Sequence, residues 1–332
     1  MDVFDLSGVR IDGIYACLPP DSEDNLARCT EIYGDREKAE GVVKTTGIRT
    51  RRVAAPGVSS LDLCVGAASR LLADLGIGAC EIGAVVCVTF TPENAMPCNA
   101  CQAQSRLALP PGIAAFDLGL ACSGWTYGLY VSGLLAKSMR RKVLFLDGDV
   151  QTRYLDSADG ATVPVLADAG TATMVSPCEE SAAPWKFAFM TRGDQGDALQ
   201  LPPGGCLKMD GFGVFKFVTT EALGFVRDFM AAAGATADSF DAFVPHQANV
   251  FMIRQMARKL NFAPEALWVS GDELGNSGSA SIPVTIAHCG ASVDRQDGLR
   301  LLVSGFGGGL SAAAAAIGID GACRLGSFDF QP

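Results

Sequence analysis

The sequence predicts an α/β protein with a largely parallel sheet, built as two halves of similar element order. Three observations carry this reading. Short apolar, β-branched runs alternate with Ala- and Leu-rich helical stretches; the order of elements recurs after about residue 180; and no low-complexity linker or charge run divides the chain. With 332 residues, 49% of them hydrophobic, the chain can bury a large core and is too apolar to be disordered.

The elements follow in order. "LDLCVGAASRLLADLG" (Leu61–Gly76) has helical spacing, and "IGAVVCVTF" (Ile82–Phe90) reads as a buried strand. "FDLGLACSGWTYGLYVSGLLA" (Phe116–Ala136) begins as the end of a strand and finishes as an apolar helix. "KVLFLDGD" (Lys142–Asp149) and "GTATMVS" (Gly170–Ser176) are further strands. In the second half the helix Thr219–Gly234 leads to the strand Asp241–Gln247 and the helix Asn249–Leu260. The strand Gly298–Gly309 enters a glycine turn, and Ser311–Ile319 reads as the last strand. Ala55–Ser60 and Leu201–Gly205 are loops by their Pro and Gly content. The division into halves falls at 1–178 and 179–332.

Composition narrows the function. A net charge of −10 argues against a nucleic-acid partner, because phosphate binding needs clustered Lys and Arg. The N-terminus has no basic start and no long apolar run, so no signal peptide is expected. The run Leu310–Ile319 is too short to span a membrane, and a cytoplasmic protein is expected. In that compartment the twelve cysteines are expected to be reduced. Cys98 and Cys101 form the only C-x-x-C, and the only histidines are His246 and His288, so no metal site is expected.

Three short stretches carry chemistry. Cys122 stands where a strand run turns into a helix. Unpaired N–H groups and the dipole at a helix start favour thiolate, so a lowered pKa is expected there. Its own N–H is placed to meet an oxyanion. In "VPHQAN", His246 ends a strand run before a helix, a position where an imidazole can donate a hydrogen bond or move a proton. In "GDELGNSGSASIP", small residues permit close backbone approach, and Asn276 offers an amide donor. A fourth stretch, "SGFGGGLS" (Ser304–Ser311), is a glycine turn able to supply a second oxyanion N–H. It lacks the dinucleotide and Walker A patterns, so no nucleotide cofactor is expected.

These stretches, with "KTTGIRTRRVA", "MPCNACQAQ", "LADAGTATM" and "GVFKF", resemble the β-ketoacyl-acyl-carrier-protein synthase III family of the thiolase superfamily over nearly the whole chain. The resemblance implies a five-layered αβαβα thiolase fold of two duplicated halves, assembled as a homodimer. It implies a decarboxylating condensation in which Cys122 takes an acyl group as a thioester. His246 and Asn276 would bind the malonyl thioester carbonyl and stabilise the enolate left by carbon dioxide. The N–H groups of Cys122 and Gly308 would form the oxyanion hole, with Phe306 beside the nucleophile. Partners would be an acyl-CoA or acyl-carrier-protein donor and malonyl-acyl-carrier protein; no cofactor is required.

Further positions follow from the same resemblance. Lys216, Arg258 and Lys259 align with basic residues that meet the carrier protein. Met96 aligns with a position that shapes the acyl pocket across the dimer interface, and Trp125 either narrows the pocket or packs the helix. The chain also departs from the family. The stretch "EGVVKT" before Thr46 lacks the tryptophan and arginine that grip the CoA adenine and phosphate, leaving Lys44 as its only cation. Gly160 stands where a second arginine is usual, and Phe212 where an asparagine meets the pantetheine arm. The donor then arrives on a carrier protein, or CoA binds through other contacts, and a specialised acyl or secondary-metabolite pathway is expected. A thiolase-fold acyltransferase that passes the acyl group to an oxygen or nitrogen nucleophile without decarboxylation is the alternative activity. A catalytically silent partner subunit is a third reading, disfavoured by the presence of all three polar groups.

Overall fold

The computed structural model describes residues 1–179 and 183–331. Two principal sheets alternate with helices in five layers. The first sheet runs Arg324–Asp329, Val9–Leu18, Ala169–Pro177, Lys142–Asp149, Ile82–Val88, Ala114–Leu118. The second runs Phe4–Leu6, Trp185–Thr191, Ser311–Ile319, Leu299–Gly307, Ala242–Pro245. Helices Gly124–Met139 and Ser281–Gly290 fill the space between the sheets. Ser60–Leu75 and Asn99–Arg106 cover the outer face of the first sheet, and Leu223–Ala232 and Val250–Lys259 that of the second. This is the αβαβα arrangement of the thiolase fold.

Strand alternation explains the layering. In Ile82–Val88, Val86 and Val88 face the central helices while Val85 and Cys87 face the outer ones. Covered on both sides, the strand is apolar at every position. In Leu299–Gly307, Leu301 and Val303 point inward while Leu302 and Phe306 point outward.

Two sequence expectations are corrected. Both sheets are mixed, not largely parallel. The strands Leu299–Gly307 and Ser311–Ile319 pair antiparallel because the three residues between them are too few for a crossover. Four strands of these sheets are not marked by the sequence pattern: Phe4–Leu6, of three residues; Val9–Leu18, interrupted by Arg10, Asp12 and Gly13; Trp185–Thr191; and Arg324–Asp329, which follows the strand read as last. The two terminal strands change sides. Phe4–Leu6 pairs with Trp185–Thr191, and Arg324–Asp329 pairs with Val9–Leu18. The halves 1–178 and 179–332 are accordingly proposed for the inner elements alone. No helix among the described residues is long and apolar enough to cross a membrane.

The central helix Gly124–Met139 lies close against the first sheet. A Cβ on Gly124 would come within 2.5 Å of Val88 Cγ1, and one on Gly128 would overlap the Phe145 ring. These two glycines, one turn apart, let the helix approach the sheet and set the depth of the residues just before it. Gly128→Ala is therefore expected to lower stability by about 1–3 kcal/mol through overpacking. Chemical denaturation of both proteins checks this, and an unchanged midpoint would contradict the close approach.

Candidate active site

Cys122 follows the edge strand Ala114–Leu118 through a short loop and sits two residues before the central helix. The glycine turn after Leu299–Gly307 presses against it. A Cβ on Gly307 would lie 2.7 Å from both Cys122 Cβ and Sγ, and one on Gly305 2.6 Å from Ser123 Cα. Gly307 also has φ of 150°, outside the range that side-chain-bearing residues favour. Only glycine fits a backbone this near the thiol. The backbone N–H groups of Gly308 and of Cys122 itself lie near enough to the Cys122 sulfur to favour its thiolate, so two backbone donors stand beside the thiol.

His246 lies just past the strand Ala242–Pro245, its N–H donating to the Ser304 carbonyl (2.8 Å). The ring is 1% exposed and packs edge-to-face on Phe306, with centroids 5.5 Å apart. Its Nδ1 is 2.7 Å from Ser281 Oγ. Asn276 is fixed at both backbone ends. Its N–H donates to the Val165 carbonyl (3.0 Å), and its carbonyl accepts from Ala167 N–H (2.8 Å) and Gln151 Nε2 (2.5 Å). Its side-chain Oδ1 accepts the Gly278 N–H (2.9 Å), which leaves the amide NH2 to serve as a donor.

Cys122, His246, Asn276, Phe306 and Gly308 all line one cavity of about 480 Å³. Leu199, Leu207, Met209, Val214 and Val218 form its apolar walls, and no Lys or Arg lines it among the described residues. Burial dominates the titration of both reactive groups. It pushes the Cys122 thiol up to about 11; the Gly308 N–H opposes this, while Asp149 and Asp147 add to it. The expected lowering of the Cys122 pKa is thus corrected: desolvation outweighs the N–H groups at the helix start. Burial takes His246 down to about 4, against a smaller opposing contribution from the Gly278 backbone, so the ring is neutral at physiological pH.

The remaining predicted residues fall in different places. Trp125 is not a pocket residue; fully buried, it stacks on Phe145 and donates to Thr173 Oγ1 (3.3 Å) in the central core. Met96 is 88% exposed and lies outside the cavity of its own chain. Lys216 is exposed and follows Phe215, which lines the cavity. Arg258 and Lys259 are exposed at the end of Val250–Lys259, roughly 10 Å beyond Met252 at the cavity. At Gly160 a Cβ would overlap Tyr33, whose hydroxyl donates to the Gly160 carbonyl (2.9 Å). Phe212 is 77% exposed, on the helix Gly211–Phe217 that lines the opening. Cys98 and Cys101 are free thiols with sulfurs 3.4 Å apart. Gln151, Asp149 and Ser281 were missed, since each acts through a partner distant in sequence. Asp149 Oδ1 accepts from Thr89, Phe90 and Thr91 and so pins the loop that brings Phe90 to the cavity.

Comparison with known proteins agrees over most of the chain. Residues 116–193 match the 3-oxoacyl-[acyl-carrier-protein (ACP)] synthase III family, and residues 230–319 match its C-terminal counterpart. A β-ketoacyl-[acyl-carrier-protein] synthase III from Rhodopirellula baltica is 30% identical, covering 93% of this chain and 98% of the relative. One from Roseiflexus castenholzii is 31% identical over 84% of this chain and 89% of its own. Among solved structures, a 3-oxoacyl-(acyl-carrier protein) synthase from Burkholderia xenovorans superposes with a TM-score of 0.94 at 31% identity, covering 99% of each chain. The priming β-ketosynthase of the R1128 polyketide biosynthetic pathway superposes at 0.86 with 26% identity, over 96% of this chain and 98% of that one.

The desolvation of Cys122, half-buried at the cavity wall, has a measurable consequence. With its pKa near 11, the thiolate fraction rises about tenfold per pH unit from about pH 7 to about pH 10. Iodoacetamide alkylation, followed at the Cys122 peptide, is expected to track that rise. A rate that levels off below about pH 8 would contradict it.

Proposed function

This chain belongs to the 3-oxoacyl-[acyl-carrier-protein] synthase III family, and from that membership and the site geometry we infer a decarboxylating condensation between an acyl group held on Cys122 and malonyl-acyl-carrier protein. The observation that carries the assignment of roles is the meeting of Cys122, His246 and Asn276 on one apolar cavity, with both donors neutral.

The sulfur of Cys122 attacks the donor's acyl thioester. The tetrahedral oxyanion is received by the N–H groups of Cys122 and Gly308. Its collapse expels the donor thiolate, which leaves with the proton given up by Cys122, and the acyl-enzyme remains. The malonyl thioester then enters, with its carbonyl oxygen against the His246 ring N–H and the Asn276 amide. As the carbon–carbon bond to the carboxylate breaks, carbon dioxide departs and the electron pair becomes an enolate on that oxygen. The α-carbon attacks the acyl carbonyl on Cys122, the same oxyanion donors act again, and Cys122 thiolate leaves and takes a proton from water. The product is a β-ketoacyl thioester on the carrier. With its pKa pushed up to about 11 by burial, Cys122 enters this cycle as the thiol.

The acyl donor is proposed to arrive on a carrier protein. Tyr33 occupies the space over Gly160, Lys44 is exposed on the helix Arg36–Thr46, and Phe212 is an exposed apolar residue beside Gly211, which lines the cavity. Lys216, Arg258 and Lys259 supply positive charge on the two helices beside the opening for an acidic carrier. The altered rim suits a specialised acyl pathway. A homodimer is supported by the edge strand Ala114–Leu118, paired on one side alone among the described residues, and by Met96, a large apolar side chain that is 88% exposed. A cytoplasmic location suits the twelve free cysteines.

Intact-protein mass spectrometry with a panel of acyl-CoAs and acyl-carrier proteins tests this reading. A mass gain of one acyl group is expected in wild type and not in Cys122→Ala, with carrier-protein donors loading faster than CoA. Equal loading of the variant would overturn the role of Cys122. Preferential loading from CoA would overturn the carrier-protein assignment.

A further inference from the structure

We propose that Ser281 is a positioning residue that fixes the tautomer of His246, holding its proton on Nε2 where it can be donated into the cavity. The inference rests on the condensing reading for its purpose, and on hydrogen-bond arithmetic for its content.

Ser281 Oγ has two partners among the described residues. One is His246 Nδ1 at 2.7 Å, and the other is the backbone N–H of Gln247 at 3.1 Å. The Gln247 N–H can only donate, so it occupies a lone pair of Oγ. That leaves the hydroxyl proton, and His246 Nδ1 is the acceptor within reach. Were Nδ1 protonated instead, two N–H groups would converge on Oγ and the serine proton would have no acceptor in a site where Ser281 and His246 are each 1% exposed. The satisfied arrangement is Ser281 Oγ–H donating to Nδ1. A neutral imidazole then carries its proton on Nε2.

The surroundings hold Ser281 and Gln247 in this relation. Gln247 is fully buried. Its Oε1 accepts from Ser270 N–H (3.1 Å) and Gly271 N–H (3.2 Å), and its Nε2 donates to the Pro245 carbonyl (2.7 Å). The peptide that aims its N–H at Ser281 is thus anchored on both sides. Ser281 begins the central helix Ser281–Gly290, and its own N–H is bonded to the Gly278 carbonyl. The short segment Asn276–Ser281 therefore sets both donors of the decarboxylation site by occupying their acceptors. The Gly278 N–H takes Asn276 Oδ1, and the Ser281 hydroxyl takes His246 Nδ1.

The chain has two histidines, which makes the test direct. Full-length protein labelled with ¹⁵N-histidine, with a His288→Gln variant for assignment, reports the protonated nitrogen of the His246 ring by its shift and one-bond N–H coupling. Wild type is expected to show the proton on Nε2 and an unprotonated Nδ1. In Ser281→Ala the two tautomers are expected to mix. Carbon dioxide release from malonyl-acyl-carrier protein should fall on the order of 10²-fold, with acyl loading of Cys122 within about twofold. Ser281→Thr, which keeps the hydroxyl, should restore both readouts. A wild-type ring protonated on Nδ1 would overturn the proposal without any variant. So would a Ser281→Ala protein with unchanged tautomer and unchanged carbon dioxide release. Carbon dioxide release by wild type tests the condensing reading separately, so failure of the one is told from failure of the other.

Discussion

The proposed reaction develops negative charge in a cavity that no cation lines among the described residues. Among the described residues neither Lys nor Arg lines the wall that holds Cys122, His246 and Asn276, and the His246 ring is neutral. An oxyanion or an enolate there can be met only by N–H dipoles. Dipoles stabilise a charge well when they are already aimed and do not reorganise as it forms. The rest of the site reads as the means of aiming them: Asn276 by its three backbone hydrogen bonds and the Gly278 N–H, His246 by Ser304 and Ser281, and Gly308 by the glycine turn that presses on Cys122.

The fold supplies that rigidity by bringing the two sheets together around one pair of helices. Cys122 precedes one central helix, and Ser281 begins the other. Gly124 and Gly128 let the first helix lie against its sheet, and a Cβ on Gly124 would lie 2.8 Å from Ser279 Oγ, within the segment that positions Asn276. The segments that carry Cys122 and Asn276 are thus packed against each other. The same packing desolvates the thiol. A low-dielectric cavity strengthens the hydrogen bonds that matter in the reaction and raises the pKa of the resting cysteine, and these are two results of one cause.

Much of this was legible in the sequence because the informative features are local. Cys122, His246 and Asn276 each lie in a short motif at the end of a strand or in a tight turn, and their joint presence names the family. What was not legible depends on contacts across the chain. The sign of the Cys122 shift is set by burial, much of it under the glycine turn of Gly305–Gly308 far along the sequence. Ser281 lies inside the quoted "GNSGSASIP", yet its partner is 35 residues away, so nothing local marks it. Trp125 sits three residues past Cys122, but on the central helix it turns into the core. The terminal strands exchange sheets through pairings that an element-by-element reading does not see.

The central claim is that neutral, pre-aimed donors perform the decarboxylation, and Asn276→Asp tests it most directly. The substitution keeps the shape of the side chain and replaces its donor NH2 with an oxygen that can only accept when ionised. Carbon dioxide release from malonyl-acyl-carrier protein would be measured beside acyl loading of Cys122. Release is expected to fall by about 10²-fold or more, while loading changes by no more than a few-fold. Undiminished release of carbon dioxide by Asn276→Asp would contradict the account.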